Sequence, residues 1–451
     1  MLNQLLTIAR NTFVESVRQP VLLLLVLACA LLQVFNTWTA AFSMGRSSTA
    51  EVSADNKLLL DIGLATIFGC GVLMASFLAT AVVSSEIERR TMLTVISKPI
   101  PRAVVVAGKY IGVAGAITGA VVIMLAFLML AIRHGVLSTA GDHLDQPVLL
   151  FGFGAVFASL LLAAAANYMY GWSFNQTAMT TLLPLIVLAY VAVLLFSKRW
   201  ELQSPMVDLK PKILVACGAM ALAILVLTAV ATAASTRLGQ VMTIITCAAV
   251  FFGGLLSNHF LGRQAYQNDV LGVIASAEPA STADEGLGSR GATYTITLTD
   301  LPRQRVPAGS SFFYGANPNG FSLASGTFAP FEGDASETAA LFRPETPPGL
   351  VVVESDGTTL VVRNVGREPQ AVARAPRSDD YVFMRPTRVN PLVAGLWAVV
   401  PNMHYFWLLD AVTQNRAVPV THFAMIVVYA SLQIAAFLAL AVALFQRRDV
   451  G

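Results

Sequence analysis

Charge is what this chain has least of. Asp, Glu, Lys and Arg make up 12% of its 451 residues, where a soluble domain carries about 25%. With 56% hydrophobic residues and a mean hydropathy of +0.67, that shortage excludes a string of soluble domains. It points to a polytopic membrane protein. Cysteine is also scarce. Cys29, Cys70, Cys217 and Cys247 all lie inside apolar runs and read as small buried hydrophobes, so no disulfide framework or CxxC metal site is expected.

Ionisable residues are missing from the centres of the long apolar runs. A carrier coupled to a proton or ion gradient normally keeps such a group near mid-membrane despite its cost, so a secondary carrier is disfavoured. Asn167 and Gln433 are the nearest substitutes and read as helix–helix hydrogen-bonding groups. There are five histidines. His134, Asp142, His143 and Asp145 share one short loop, but without fixed spacing on a helix or strand they read as a solvated loop, and no metal site is expected. No Ser/His/Asp or Cys/His grouping stands out. AVVVAGKY (103–110) contains a Gly-Lys pair but lacks the first glycine and the Ser/Thr of a phosphate-binding loop. The chain is therefore expected to have no nucleotide site, no cofactor and no catalytic residues of its own, and Lys109 reads as a basic anchor at the start of a span. Val26-Leu27-Ala28-Cys29 loosely matches a lipoprotein processing box, yet the apolar run continues to Phe35 and reads as a retained span.

What the chain does have is eight apolar runs of the roughly 20 residues that a membrane-crossing helix requires. They lie near 20–43, 60–83, 104–132, 148–170, 177–197, 213–234, 238–261 and 419–446. Before them, residues 1–19 place Leu2, Leu5, Leu6, Ala9, Phe13 and Val17 at helical spacing, which predicts a helix in the membrane interface or a simple extension of the first span. Residues 263–390 are different material. They hold ATYTITLTD (292–300), LVVVES (350–355) and TTLVVRNV (358–365) between Pro-, Gly- and Asp-rich turns, the pattern of short strands. A small β-rich domain is expected, a sandwich or an open barrel. It carries no basic, aromatic-interleaved face, which argues against nucleic acid. Residues 391–418 include an apolar, aromatic stretch broken by Pro401 and Asn402, which predicts a re-entrant or interfacial element before the last span and tail (419–451).

Arg89, Arg90, Lys98, Arg102 and Lys109 cluster around the second loop, and Arg447 and Arg448 follow the last span. The positive-inside bias places both in the cytoplasm, and six crossings separate them. Both termini are then cytoplasmic and residues 263–390 lie outside. Against this stand Lys198, Arg199, Lys210 and Lys212, which would face outward.

The most polar stretch between spans is SSEIERRTMLTVISKPIPR (84–102). Ser84 or Ser85 can cap a helix, and Glu86 and Glu88 in its first turn complement the helix dipole. Ile87, Thr91, Met92 and Val95 recur at helical spacing. Lys98-Pro99-Ile100-Pro101 then ends the helix, since each proline removes a donor and disfavours helix before it. A short amphipathic helix with a stiff exit is predicted.

This string, continued as AVVVAGKYIG to residue 112, resembles the loop of type-2 ABC transporter permeases, in particular the NosY-like branch. There a Glu-rich start leads through a Thr-Leu-rich helix to a Pro-x-x-Arg-type turn and a Gly-Lys-Tyr. PNMHYFWLLDAVTQNRAVP (401–419), LFQRRDVG (444–451) and AASTRLGQVMTIITCAAVFFGGLL (233–256) are similar to the family's outward element, C-terminal end and central hairpin. The resemblance implies a polytopic α-helical membrane subunit of the plasma (inner) membrane, paired with itself or with a similar permease. It implies two ABC ATPase partner subunits, which hold the ATP and magnesium. Glu86, Glu88, Arg89 and Arg90 would contact the ATPase, Pro99, Pro101 and Arg102 would set the rigid exit, and Lys98 belongs to the same ATPase-coupling set. The chain departs from the family in about two extra spans and the inserted β-rich domain. The alternative is a structural or sensory membrane protein that presents that domain and uses the polar loop as an anchor.

Overall fold

Long apolar runs in which no residue competes with the backbone form helices, and proline and glycine set their ends. The computed structural model describes residues 2–39, 48–84, 100–136, 144–281, 284, 286–318, 320, 323–324, 349–365, 372, 374–408 and 420–446. Among these, eight helices are long and apolar enough to cross a membrane: Pro20–Thr37, Lys57–Val82, Arg102–His134, Gln146–Tyr170, Phe174–Leu195, Pro211–Ser235, Gln240–Ala265 and Val420–Gln446. The chain is a polytopic helical protein with an inserted β-rich region. It divides into one unit made of Met1–Leu255 and Pro401–Gly451, and a second made of Leu256–Val400.

The helices of the first unit are α1 (Leu2–Arg18), α2 (Pro20–Thr39), α3 (Ser48–Ala79, continued by a π-turn Thr80–Ser84), α4 (Arg102–His134), α5 (Gln146–Tyr170), α6 (Phe174–Leu195), α7 (Pro211–Ser235), α8 (Gln240–Ser257) and, after the insertion, the last span (Val420–Gln446). α1 and α2 part at Gln19 because the residue before a proline avoids helix, while Pro20 suits a first helical position. α5 starts on the Asp145 side chain, which accepts from Val148 N, and ends on Gly171 at φ 67°, a left-handed stop that glycine adopts without strain. α4 is the hub and touches α1, α2, α3, α5, α6, α7 and the last span. It and α7 are the most buried spans, whereas α5, α8 and the last span expose most of their length. Lipid-facing helices are expected to do so.

Two side chains tie α2 to α3. Gln33 and Asn36, both buried, donate to Gly63 O at 3.0 Å and Leu59 O at 2.8 Å. The approach is close, and a side chain at Gly63 would collide with Leu128 of α4. These amides make the interhelical bonds that the sequence reading gave to Asn167. That residue instead donates to Trp172 O at 2.6 Å within its own turn.

The second unit holds the strands β1 (Tyr266–Gln267), β2 (Val270–Pro279), β3 (Thr293–Leu298), β4 (Phe313–Gly315), β5 (Leu350–Asp356), β6 (Thr359–Asn364), β7 (Tyr381–Phe383) and β8 (Arg388–Val389), followed by the nine-residue helix α9 (Pro391–Val399); the last span is hence α10. Six strands pair antiparallel in the order β4-β7-β2-β3-β6-β5, and β1 pairs with β8. Gly357-Thr358 makes the two-residue β5–β6 turn, with Gly357 at φ 55°. The run before β4 closes the sheet on itself. Gly309 N donates to Val352 O, Phe312 N to Leu350 O and Val352 N to Ser310 O, all at 2.8–2.9 Å, around a bridge between Ser311 and Val351. Of the two expected forms, the strands thus make a small barrel. Alternation fills it: Tyr294, Ile296 and Leu298 of β3 face Leu360 and Val362 of β6, with Phe312, Tyr314, Leu350 and Val382 completing the core.

Residues 391–408, read as interrupted, form α9 and a 3-10 turn Met403–Phe406. In the first unit that turn packs on α8, where a side chain at Gly254 would meet Met403 Cγ at 2.9 Å. Asn402 N donates to the Tyr429 hydroxyl at 2.8 Å.

Candidate functional site

At one end of the first unit, here called the near end, α3 and α10 finish, α4 begins, and the α5–α6 and α7–α8 turns lie. Arg18 donates to Gln176 at 2.8 Å, Lys109 to Val82 O at 2.8 Å and Arg237 to Leu444 O at 3.0 Å, so these turns and helix ends meet in space. Of the residues assigned to the ATPase-coupling loop, Glu86, Glu88, Arg89, Arg90, Lys98 and Pro99 lie outside the described residues. Pro101 and Arg102 lie within them, as do the anchors on either side of the loop.

The end of α3 that leads into the loop is held by Lys109, from the second turn of α4. Rather than reaching outward from the start of a span, this lysine is only 4% exposed. It donates to Val82 O, a carbonyl in the last turn of α3, where a cation meets the negative end of the helix dipole. The anchor after the loop is Arg102. Its guanidinium donates to Gln446 O at 2.9 Å and Phe445 O at 3.3 Å, and it lies 5.7 Å from the centroid of the Phe445 ring. With Arg237 on Leu444 O, two arginines satisfy three successive carbonyls that end α10. Pro101, extended at φ −59° and ψ 134°, supplies the carbonyl that accepts from Val104 N and Val105 N. A separate small apolar cluster lies beneath, formed by Ile8, Ile100, Val105, Val106, Ala233 and Phe445 among others.

α1 reinforces this end. An added Cβ at Gly108 would lie 2.8 Å from Ile8 and 3.2 Å from Leu5 O, one at Gly112 2.5 Å from Ala9 O, and one at Gly115 3.3 Å from Phe13. The paired positions advance together, so α1 runs lengthwise along α4 with the backbones nearly touching, as small residues permit. It turns Ala9, Thr12 and Ser16 inward and leaves Leu2 and Leu6 exposed. Its C-terminal end is level with the α5–α6 turn, since Asn175 also donates to Arg18 O. That turn carries Tyr170 and Trp172 with ring centroids 5.7 Å apart, while Trp200 follows the opposite end of α6. The 22 residues of α6 span about 33 Å, close to the hydrocarbon thickness between two aromatic belts.

The opposite, far end is fastened by charge. Arg133 in the last turn of α4 bonds Asp145 at 2.7 Å and stands 2.9 Å from Asp208, with the three side chains 10%, 0% and 23% exposed. Gln203 also donates to Asp208, and Lys198 donates to His134 O at 3.3 Å, capping α4. The basic loop that contradicted the positive-inside trend is thus partly engaged in holding helix ends together. Of the loop group considered for a metal, Asp142 and His143 lie outside the described residues, and Asp145 serves Arg133 and the start of α5. No cluster able to hold a metal occurs among the described residues. The sequence signal for the ion pair was Arg133 itself, a cation closing an apolar run 12 residues before an acid.

Residues 6–196, from α1 to just past the end of α6, match the family described as ABC-2 family transporter protein. No curated protein and no solved structure matches the chain. The family match, taken with eight apolar helices, supports a multi-pass membrane protein of the ABC-2 permease type.

Proposed function

We propose that this chain is the permease subunit of an ABC exporter, in which a separate ATPase subunit binds the near end and drives substrate across the membrane. The family match over residues 6–196 carries this reading, and the fastening on either side of residues 85–99 supports it. A push on that segment would reach α3 and α4 through Val82 and Lys109, and α4 and α10 through Arg102. Glu86, Glu88, Arg89 and Arg90 meet the ATPase, and Lys98, Pro99, Pro101 and Arg102 make the stiff return to α4. ATP and magnesium reside in the partner. The quoted loop string supports the NosY-like branch.

Energy enters because the ATPase binds two arrangements of the permease unequally. Two permease chains, identical or similar, pair over two ATPases. The near end and both termini lie in the cytoplasm of a cell whose plasma (inner) membrane holds the spans, and residues 263–390 lie outside.

The test is side and contact. Thr94→Cys should react with a membrane-impermeant thiol reagent only after cells are opened, and labelling in intact cells would overturn the proposal. Glu86→Lys and Arg90→Glu should keep the fold but lose co-purification with the ATPase and uncouple its hydrolysis from transport. Normal transport in both variants would count equally against it.

A further inference from the structure

A groove of about 530 Å³ opens in the first unit between α2, α4 and α5, within the roughly 300–1,000 Å³ range of ligand sites. Its walls run from Leu27 to Thr37 on α2, from Phe127 to His134 on α4, and from Val156 back to Leu144 at the start of α5. The inner end is Leu27, Phe127 and Val156; the far end is Thr37, His134 and Leu144. Ten residues of helix give it a length of about 15 Å, half of the roughly 30 Å hydrocarbon layer. The groove is therefore one leaflet deep and starts at the far end.

Its shape suits one occupant in particular. Spread over that length, 530 Å³ makes a long apolar slot that one flexible hydrocarbon chain would follow from end to end. The lining is almost wholly apolar. Gln33 offers mainly its methylenes, because its amide nitrogen is turned to Gly63 of α3, while Thr37 and His134 stand at the far mouth. At that mouth Lys198 Nζ lies against His134 O. The loop 196–212 that carries it holds Lys198, Arg199, Lys210 and Lys212 against Glu201 and Asp208. Such a surplus of cations attracts anionic headgroups.

We propose that this groove is a lipid site: it holds one acyl chain of an anionic phospholipid from the far leaflet, with the headgroup beside Lys198. The site rests on the far end lying in a bilayer and not on coupling to an ATPase. Neither proposal stands or falls with the other.

The experiment is native mass spectrometry of the full chain released from bilayers of mixed phosphatidylglycerol and phosphatidylcholine. Wild type should retain one phosphatidylglycerol per chain. Gly152→Phe and Ala30→Trp, which fill the groove from opposite walls, should each lose it, whereas Gly152→Ala should keep it, since an added Cβ there makes only ordinary contact with Leu130 at 3.5 Å. Lys198→Glu should retain phospholipid but lose the preference for the anionic one. Circular dichroism and elution volume identify any variant that fails to fold, and the two fillers back each other up. Unchanged retention in both fillers would overturn the site, and so would a preference untouched by Lys198→Glu. Fillers that break a dimer while lipid stays bound would show a second copy in the groove and refute the proposal.

Discussion

Replacing Gly112 by alanine puts a methyl group where there is no room. The added Cβ would lie 2.5 Å from Ala9 O and 2.6 Å from Thr12 Cβ, against an ordinary contact of 3.4 Å or more. The shortfall is about 0.9 Å, and the atom in the way is backbone, which cannot rotate aside. α1 must move off α4, and overpacking of this kind costs about 1–3 kcal/mol. Gly119 lies two turns on in the same helix, and a Cβ there meets nothing within 4 Å. Glycine in a helix interior is worth roughly 0.5–1 kcal/mol less than alanine, so Gly119→Ala should be neutral or stabilising. The two variants change the same helix by the same atoms, so composition and propensity cancel in their difference. That difference should therefore be the overpacking cost alone, about 1–3 kcal/mol. Thermal unfolding of the purified protein in one detergent measures it, and a disulfide trap between cysteines at Phe13 and Gly115 reports whether α1 has shifted. Equal melting temperatures for Gly112→Ala and Gly119→Ala would refute the close backbone packing of α1 on α4.

Two further outcomes follow from the charged and hydroxyl groups. Arg133→Met strands the fully buried Asp145 carboxylate and should cost about 3–5 kcal/mol, much of it recovered when Asp145→Asn is added; no recovery in the double variant would sink the pairing. In the barrel, burial raises the Tyr314 phenol above its ordinary value of 10.0 while its hydroxyl donates to Arg374 O at 2.5 Å. The protonated form is the one that fits, so its contribution is complete below pH 10 and fades as pH rises through the folded value. Tyr314→Phe should remove that part of the alkaline loss of stability, read by hydrogen exchange of the barrel amides across pH. An unchanged pH profile would contradict it.

The spans were legible because the requirement is crude: enough apolar residues in a row to cross hydrocarbon. α6 was expected over 177–197 and runs from Phe174 to Leu195. The interruption at Pro401 was legible for a similar reason, since proline and asparagine break helices locally. The barrel was half legible, as the strands announce themselves by alternation, but closure depends on Ser311 finding Val351, 40 residues away. The fastenings were hidden. Lys109 lies near the start of an apolar run whether it reaches for water or for Val82 O, and periodicity does not separate the two. Arg133, Asp145 and Asp208 come from three segments that only the tertiary fold brings together. The spacing of Gly108, Gly112 and Gly115 could have been read as a close-packing stripe, although nothing in it names α1 as the partner.

The carbonyls that receive Arg102 and Arg237 are made long after the arginines themselves. Arg102 waits through 343 residues of synthesis before Phe445 exists, and Arg237 through 207 before Leu444 does. The first seven spans are therefore inserted with this latch open. Until α10 is made, neither guanidinium has the carbonyls that it bonds in the finished fold.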